Sequence, residues 1–223
     1  MDLAALVVYC IDVGSISGGN FGWARADASM GSVEEHRGGS EITDVVDALV
    51  MDLSADRPVA LGFECPLFVP VPHDHIRLGK ARAGERDRAW SATAGAGALA
   101  TGLVQAAWVL ARVGARVDEL QVTFDWNAFV ARPQGFFLWE ALVTGAAKQA
   151  THIEDATVAV AAFLQALPNL LQQNAVHEER VLSLIAAAVL WSGITSDASL
   201  LSSPCVVLRA AEPAAHVAET LDR

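Results

Sequence analysis

The chain has 223 residues, 53% of them hydrophobic and 18% charged. This composition is too apolar for a disordered protein, and the length suffices to bury a core without disulfides or structural metals. The net charge of −11 argues against a non-specific binder of duplex nucleic acid, which would present a basic face.

The N-terminal residues are apolar but lack the positive region of a secretory signal, and no apolar run is long enough to predict a membrane span. Cys10, Cys65 and Cys205 lie far apart in apolar surroundings and are predicted to be small buried hydrophobes. None of them forms a Cys-x-x-Cys pair that would suggest zinc or redox chemistry. We therefore expect one cytoplasmic domain, residues 1–223, without membrane contact.

The first half of the chain predicts an antiparallel hairpin followed by a helix and a strand. A continuous apolar run over residues 4–13 is typical of a central strand buried on both faces. A Gly/Ser turn leads to a second strand at 21–26, and a third is predicted at 32–36. Apolar residues at helical spacing predict a helix over 42–53, and a second buried strand follows at 59–63.

Residues 66–92 are predicted to form a long loop or insertion, first rich in proline and then in basic residues. Loops of this length are usually functional or mobile. Because strand–helix–strand units pair in parallel, the whole pattern predicts an α/β fold with a mixed sheet flanked by helices on both faces. The remaining predicted elements are a helix at 91–113, strands at 120–124 and 135–142, helices at 155–171 and 178–191, and a strand at 204–208.

Three acidic residues follow apolar strands: Asp12, Glu64 and Glu140. Ligands of open α/β sheets bind beyond the carboxyl ends of parallel strands, so we expect these carboxylates to converge there as the catalytic group. Clustered carboxylates repel one another unless a cation lies between them. Mg²⁺ or Mn²⁺ is the predicted cofactor, since both prefer oxygen ligands and support phosphoryl transfer.

Two further features are candidates for contacting a phosphorylated substrate. Ser15 lies in a Gly-rich turn whose backbone N–H groups could bind a phosphate, although a simple hairpin turn explains the same residues. Arg86 and Arg88 close a basic run that could neutralise substrate charge or be a solvated surface. The acidic net charge does not favour nucleic acid as the partner, and the apolar surplus is compatible with a homodimer.

The sequence IDVGS at 11–15, followed by FGWA at 21–24, resembles the first hairpin of ribonuclease-H-like proteins, including relatives of Holliday-junction resolvases. GFECPL at 62–67 and FLWE at 137–140 are similar to the second and third acidic positions of an uncharacterised family within that superfamily. The resemblance implies a ribonuclease-H-like fold and a divalent-metal-dependent phosphodiesterase or nuclease-like activity.

The last predicted helix departs from the family pattern. Ser183 or Leu184 lies where the resemblance implies an acid, so Glu178 or Glu179 is predicted to supply the remaining metal ligand. One alternative is a catalytically degenerate protein that keeps the fold for interaction or scaffolding. Another is a small nucleotide-binding ATPase-like module, because the actin-like ATPase superfamily uses a similar Asp-Gly hairpin.

Overall fold

A computed structural model describes residues 5–30, 37–85 and 89–211 of the chain. These residues form an α/β fold with a mixed seven-stranded sheet, a separate two-stranded sheet and five α-helices. The strands are β1 (Val7–Asp12), β2 (Gly22–Asp27), β3 (Arg37–Gly39), β4 (Val59–Phe63), β5 (Phe68–Pro70), β6 (Val122–Thr123), β7 (Phe136–Leu142), β8 (Val181–Ser183) and β9 (Val207–Arg209). The helices are α1 (Ile42–Ser54), α2 (Thr93–Gly114), α3 (Trp126–Ala131), α4 (His152–Ala166) and α5 (Leu184–Trp191).

The main sheet has the order β3-β2-β1-β4-β7-β6, and β9 also pairs with β7. The opening meander β1-β2-β3 is antiparallel, whereas β4, β6 and β9 join β1 and β7 through parallel pairs. All six residues of β1 are buried, as its unbroken apolar sequence predicts for a central strand. The predicted mixed sheet is confirmed.

Alternating side chains of the sheet enter two separate cores. Val7, Tyr9 and Ile11 of β1 join the core formed with α1, α2 and α5. Val8 and Cys10 join the opposite core, which contains α3 and α4. Because successive strand residues point to opposite faces, one residue of register decides which core a side chain enters. The predicted helical cover on both faces is also confirmed.

Several predicted boundaries were wrong. The helix predicted over 178–191 is instead the strand β8 followed by α5, since Ser183 accepts a hydrogen bond from the Ala186 N–H and caps the helix there. The helix predicted over 155–171 begins at His152 and ends at Ala166. The sequence did not predict α3, β5 or β8. The strand predicted at 32–36 lies outside the described residues.

α2 is long and apolar enough to cross a membrane by length and composition alone. In the structure it packs against α1 and α5, and its residues Ala106, Val109 and Leu110 are fully buried in a core. This placement is consistent with a soluble protein. The three cysteines are free and buried, as predicted.

Candidate functional site

Asp12 and Glu64 lie side by side where two parallel strands end. Asp12 is the last residue of β1, and Glu64 directly follows β4. The register pairs Ile11 with Phe63, and the Glu64 N–H donates to the Ile11 carbonyl at 2.8 Å. The two acids therefore share the sheet face that α4 covers. The side chain of Glu64 is only 9% exposed and Asp12 is buried.

The N-terminus of α4 brings two more functional side chains to Asp12. Thr151 caps the helix by a reciprocal pair of hydrogen bonds with Glu154, which fixes the first turn. His152 Nδ1 is hydrogen-bonded to Asp12, and the ligand atoms of Asp12, His152 and Asp155 lie within 4.8 Å of one another. This spacing is close enough for one metal ion to contact all three.

A glycine permits this approach of α4 to the sheet. Gly22 pairs with Asp12 across the β1–β2 hairpin. A β-carbon at Gly22 would lie 2.4 Å from the backbone of His152 and Ile153, closer than real Cβ atoms come. The helix start can rest on β2, beside Asp12, only because residue 22 has no side chain.

Lys148 places its ammonium group among the carboxylates. Its Nζ lies 2.7 Å from Glu64 Oε1, 2.7 Å from Asp155 Oδ2 and 3.9 Å from Asp12 Oδ2. The other oxygen of Asp155 accepts a hydrogen bond from the Gln149 N–H at 2.7 Å. Three acids from three separate elements thus meet around one positive charge.

The electrostatics of the cluster follow from its burial. Burial raises the pKa of Glu64 well above its usual range, and the adjacent charge of Asp12 raises it further. Burial also raises the pKa of Asp12, although the charge of Lys148 and the hydrogen-bonded His152 oppose this rise. Burial alone would lower the pKa of Lys148, but the carboxylates of Glu64 and Asp12 raise it above normal. Both shifts disfavour the ionised forms of two acids that lie side by side away from water.

The residues of the site fit a divalent cation. Asp12, Glu64 and Asp155 offer oxygen ligands from a rigid frame, the donor type that Mg²⁺ and Mn²⁺ prefer. The ammonium of Lys148 shows that a positive charge is accommodated between them. In addition, Glu64 Oε2 is buried and has no hydrogen-bond partner among the described residues. A buried carboxylate oxygen without a partner is costly, and a cation would satisfy it.

The structure does not bring Glu140 into this cluster. Glu140 pairs with Phe63 in the β4–β7 register, so it shares the face of Phe63 and points away from α4. Both of its oxygens are engaged there: Arg82 donates at 2.8 and 2.5 Å, and the Leu67 N–H donates at 2.9 Å. We expected the carboxylates at three strand ends to converge. Glu140 lies one residue out of register with Asp12 and Glu64, so the expectation was wrong for Glu140.

Of the other predicted ligands and substrate contacts, none is placed beside Asp12 by a contact in the described residues. Glu178 accepts a hydrogen bond from the Ala83 N–H at 2.6 Å, and both it and Glu179 precede β8 instead of beginning a helix. Ser15 is exposed in its turn, where its hydroxyl accepts from the Gly18 N–H at 3.2 Å. Arg86 and Arg88, predicted to bind substrate, lie outside the described residues.

Sequence reasoning missed Lys148, His152 and Asp155. A usable signal was present in Thr151 and Glu154, whose Thr-x-x-Glu spacing is typical of a helix start. A helix begun there carries His152 and Asp155 three residues apart, and therefore on one face. Lys148 carries no comparable signal, since it lies in an irregular connection.

Comparisons of the chain with protein-family models, with curated proteins and with solved structures found no match.

Proposed function

We propose that this protein has a ribonuclease-H-like fold and is a divalent-metal-dependent phosphodiesterase or related phosphoryl-transfer hydrolase. Asp12 and Asp155, whose ligand atoms lie within 4.8 Å of one another, are the nearest ligands of Mg²⁺ or Mn²⁺, and Glu64, which shares the Lys148 ammonium with Asp155, completes the set. The antiparallel meander that continues into parallel strands, with acids at the ends of β1 and β4, supports the fold assignment. Asp155 of α4 supplies the third carboxylate, where the sequence had predicted Glu178 or Glu179.

One observation carries the proposal: three buried carboxylates from β1, the end of β4 and α4 surround a single cation position. Such a group is electrostatically unfavourable without a cation, and buried charges are often no more stabilising than apolar residues of similar volume. Functional sites are where perturbed carboxyl pKa values of this kind concentrate. The partly exposed side chains of Lys148 and His152 mark the side from which solvent reaches the cluster.

The residues of the site have separate roles. A bound divalent cation would supply Lewis acidity to activate water and to stabilise a leaving phosphate oxygen. Asp12, Glu64 and Asp155 fix its place. Because Asp12 holds the Nδ1 of His152, the Nε2 of the imidazole is the ring nitrogen that can exchange a proton with a water or a leaving group.

A second candidate function has its own observation. Lys148 already compensates the carboxylates, so the same geometry suits a catalytically degenerate protein in which the lysine permanently replaces the metal and the fold serves an interaction. Metal affinity separates the two candidates. A protein whose site is permanently closed by Lys148 shows no binding of Mn²⁺ at its acids.

The test is calorimetric and thermal titration of Mn²⁺ into the wild type, Asp12→Asn and Asp155→Asn, with the exposed Asp47→Asn as a matched control. Mn²⁺ at about 100 times its dissociation constant should stabilise the wild type and the control by about 2.7 kcal/mol. The two site variants should lose this stabilisation, and with it the hydrolysis of bis(p-nitrophenyl) phosphate. Equal binding to all four proteins would refute the site, and no binding to the wild type would favour the degenerate protein.

A further inference from the structure

Lys148 occupies the position that a divalent cation would take. Its Nζ is equally close to Glu64 Oε1 and Asp155 Oδ2, at 2.7 Å, and 3.9 Å from Asp12 Oδ2. These are the three carboxylates assigned above to the metal. An ammonium at that point satisfies the same oxygens that a metal ion would coordinate, so the two compete for one set of ligands.

The two cations cannot occupy the same carboxylate oxygens together. Two like charges a few ångströms apart repel by several kcal/mol where water is largely excluded, and the effect grows with the double charge of the metal. The ammonium would also block the direct oxygen contacts that a divalent ion requires, at about 2.0–2.1 Å for Mg²⁺. Binding of the metal therefore requires Lys148 to leave.

The chain allows Lys148 to leave without disturbing the acids. Its side chain is 32% exposed, and it lies in the connection between β7 and α4, shortly after Gly145 with a φ of +61°. Asp155 keeps its place through the hydrogen bond from the Gln149 N–H, which does not involve the lysine side chain. The carboxylates belong to a fixed frame, whereas the ammonium is on a flexible stem that reaches solvent.

We propose that Lys148 is a resident counter-ion that exchanges with a divalent cation at Asp12, Glu64 and Asp155. This inference rests on the proposed metal site. Without metal, the ammonium compensates part of the charge of the carboxylates. When metal binds, the side chain moves to solvent, and the displacement reduces the affinity for the metal.

Amine labelling detects the exchange directly, because the chain has only two lysines, Lys80 and Lys148. Lys80 is exposed and provides an internal reference. In brief treatment with acetic anhydride followed by peptide mass spectrometry, Mg²⁺ should raise the acetylation of Lys148 several-fold relative to Lys80. An unchanged ratio at a Mg²⁺ concentration that saturates the calorimetric signal would overturn the exchange.

Variants provide the second readout. Mn²⁺ should bind Lys148→Met about tenfold or more tightly than the wild type, a difference of about 1.4 kcal/mol per factor of ten. Lys148→Arg keeps a permanent charge, folds without metal and should bind Mn²⁺ more weakly than the wild type. Lys80→Met is the matched control and should bind like the wild type.

The outcomes separate this inference from the proposed function. If the wild type and both Lys148 variants bind Mn²⁺ equally, the exchange is refuted and the metal site stands. If only Lys148→Met binds, the competition is upheld and metal-dependent activity of the natural protein is refuted. If no variant binds Mn²⁺, both proposals fail.

Discussion

Arg82 is expected to be a principal stabiliser of the fold, although it lies in the long irregular segment after β4. Its side chain is fully buried and donates to Glu140, to Glu85 and to the Phe68 carbonyl. Arg82→Met keeps much of the packing volume but leaves two buried carboxylates without their partner. Removing one member of a buried ion pair typically costs about 3–5 kcal/mol.

This cost converts into a measurable change in melting temperature. At about 2.1 cal/mol/K of unfolding entropy per residue, a chain of this length has about 0.47 kcal/mol/K, so Arg82→Met should lower the Tm by about 6–11 °C. The matched control is Arg116→Met. Arg116 contacts Asp47 at 2.5 Å, but the two side chains are 48% and 66% exposed. Exposed pairs contribute about 0–1 kcal/mol, so the control should shift by about 2 °C or less.

Differential scanning calorimetry of both variants, with reversibility checked by rescanning, measures the two shifts. Adding Glu140→Gln to Arg82→Met should cost less than the sum of the single changes, since it removes one of the unpaired charges. Equal Tm shifts for Arg82→Met and Arg116→Met would contradict the assignment of Arg82 and Glu140 to a buried structural pair.

Three other outcomes are expected from the same geometry. Glu140→Gln should retain Mn²⁺ binding in calorimetry, whereas Asp155→Asn should lose it. Loss of binding in both variants would show that Glu140 belongs to the metal site. Gly22→Ala should destabilise the protein by about 1–3 kcal/mol in urea titration, because its methyl group meets the backbone of His152; a neutral effect would show that α4 can retreat freely. The pKa of Glu64 is raised in the folded state. At pH values above about 4, where an ordinary carboxyl group has ionised, the folded protein therefore binds more protons than the unfolded protein. Stability of the metal-free protein should therefore fall as pH rises from there through the raised pKa, and Glu64→Gln should flatten this dependence; a slope unchanged by Glu64→Gln would refute that origin.

The part of the site on β1 and β4 could be predicted from the sequence because it depends on local pattern. An apolar run that ends in an acid places that acid at the carboxyl end of a parallel strand, and Asp12 and Glu64 follow this rule. The same rule failed for Glu140. Alternation along a strand has a period of two, and the sequence does not reveal the register between strands that are far apart in the chain.

The part of the site on α4 depended on recognising where that helix begins. Asp155 was assigned to the start of a helix, but His152 was left outside it, and the Thr151–Glu154 cap that extends the helix was not used. Lys148 could not be found by pattern, since its role arises from the path of an irregular connection. The strand β8 was missed because the apolar stretch into α5 has no polar interruption long enough to mark a boundary.

The register of β7 has a consequence for protein design. Ala141 follows Glu140 and is buried on the face that α4 covers, in the row that continues from Asp12 and Glu64. A carboxylate at this position would face the cluster, whereas the one at Glu140 holds the loop on the other side. The scaffold thus contains a location, now filled by a methyl group, where the number of ligands and the preference among metals could be altered without rebuilding the sheet.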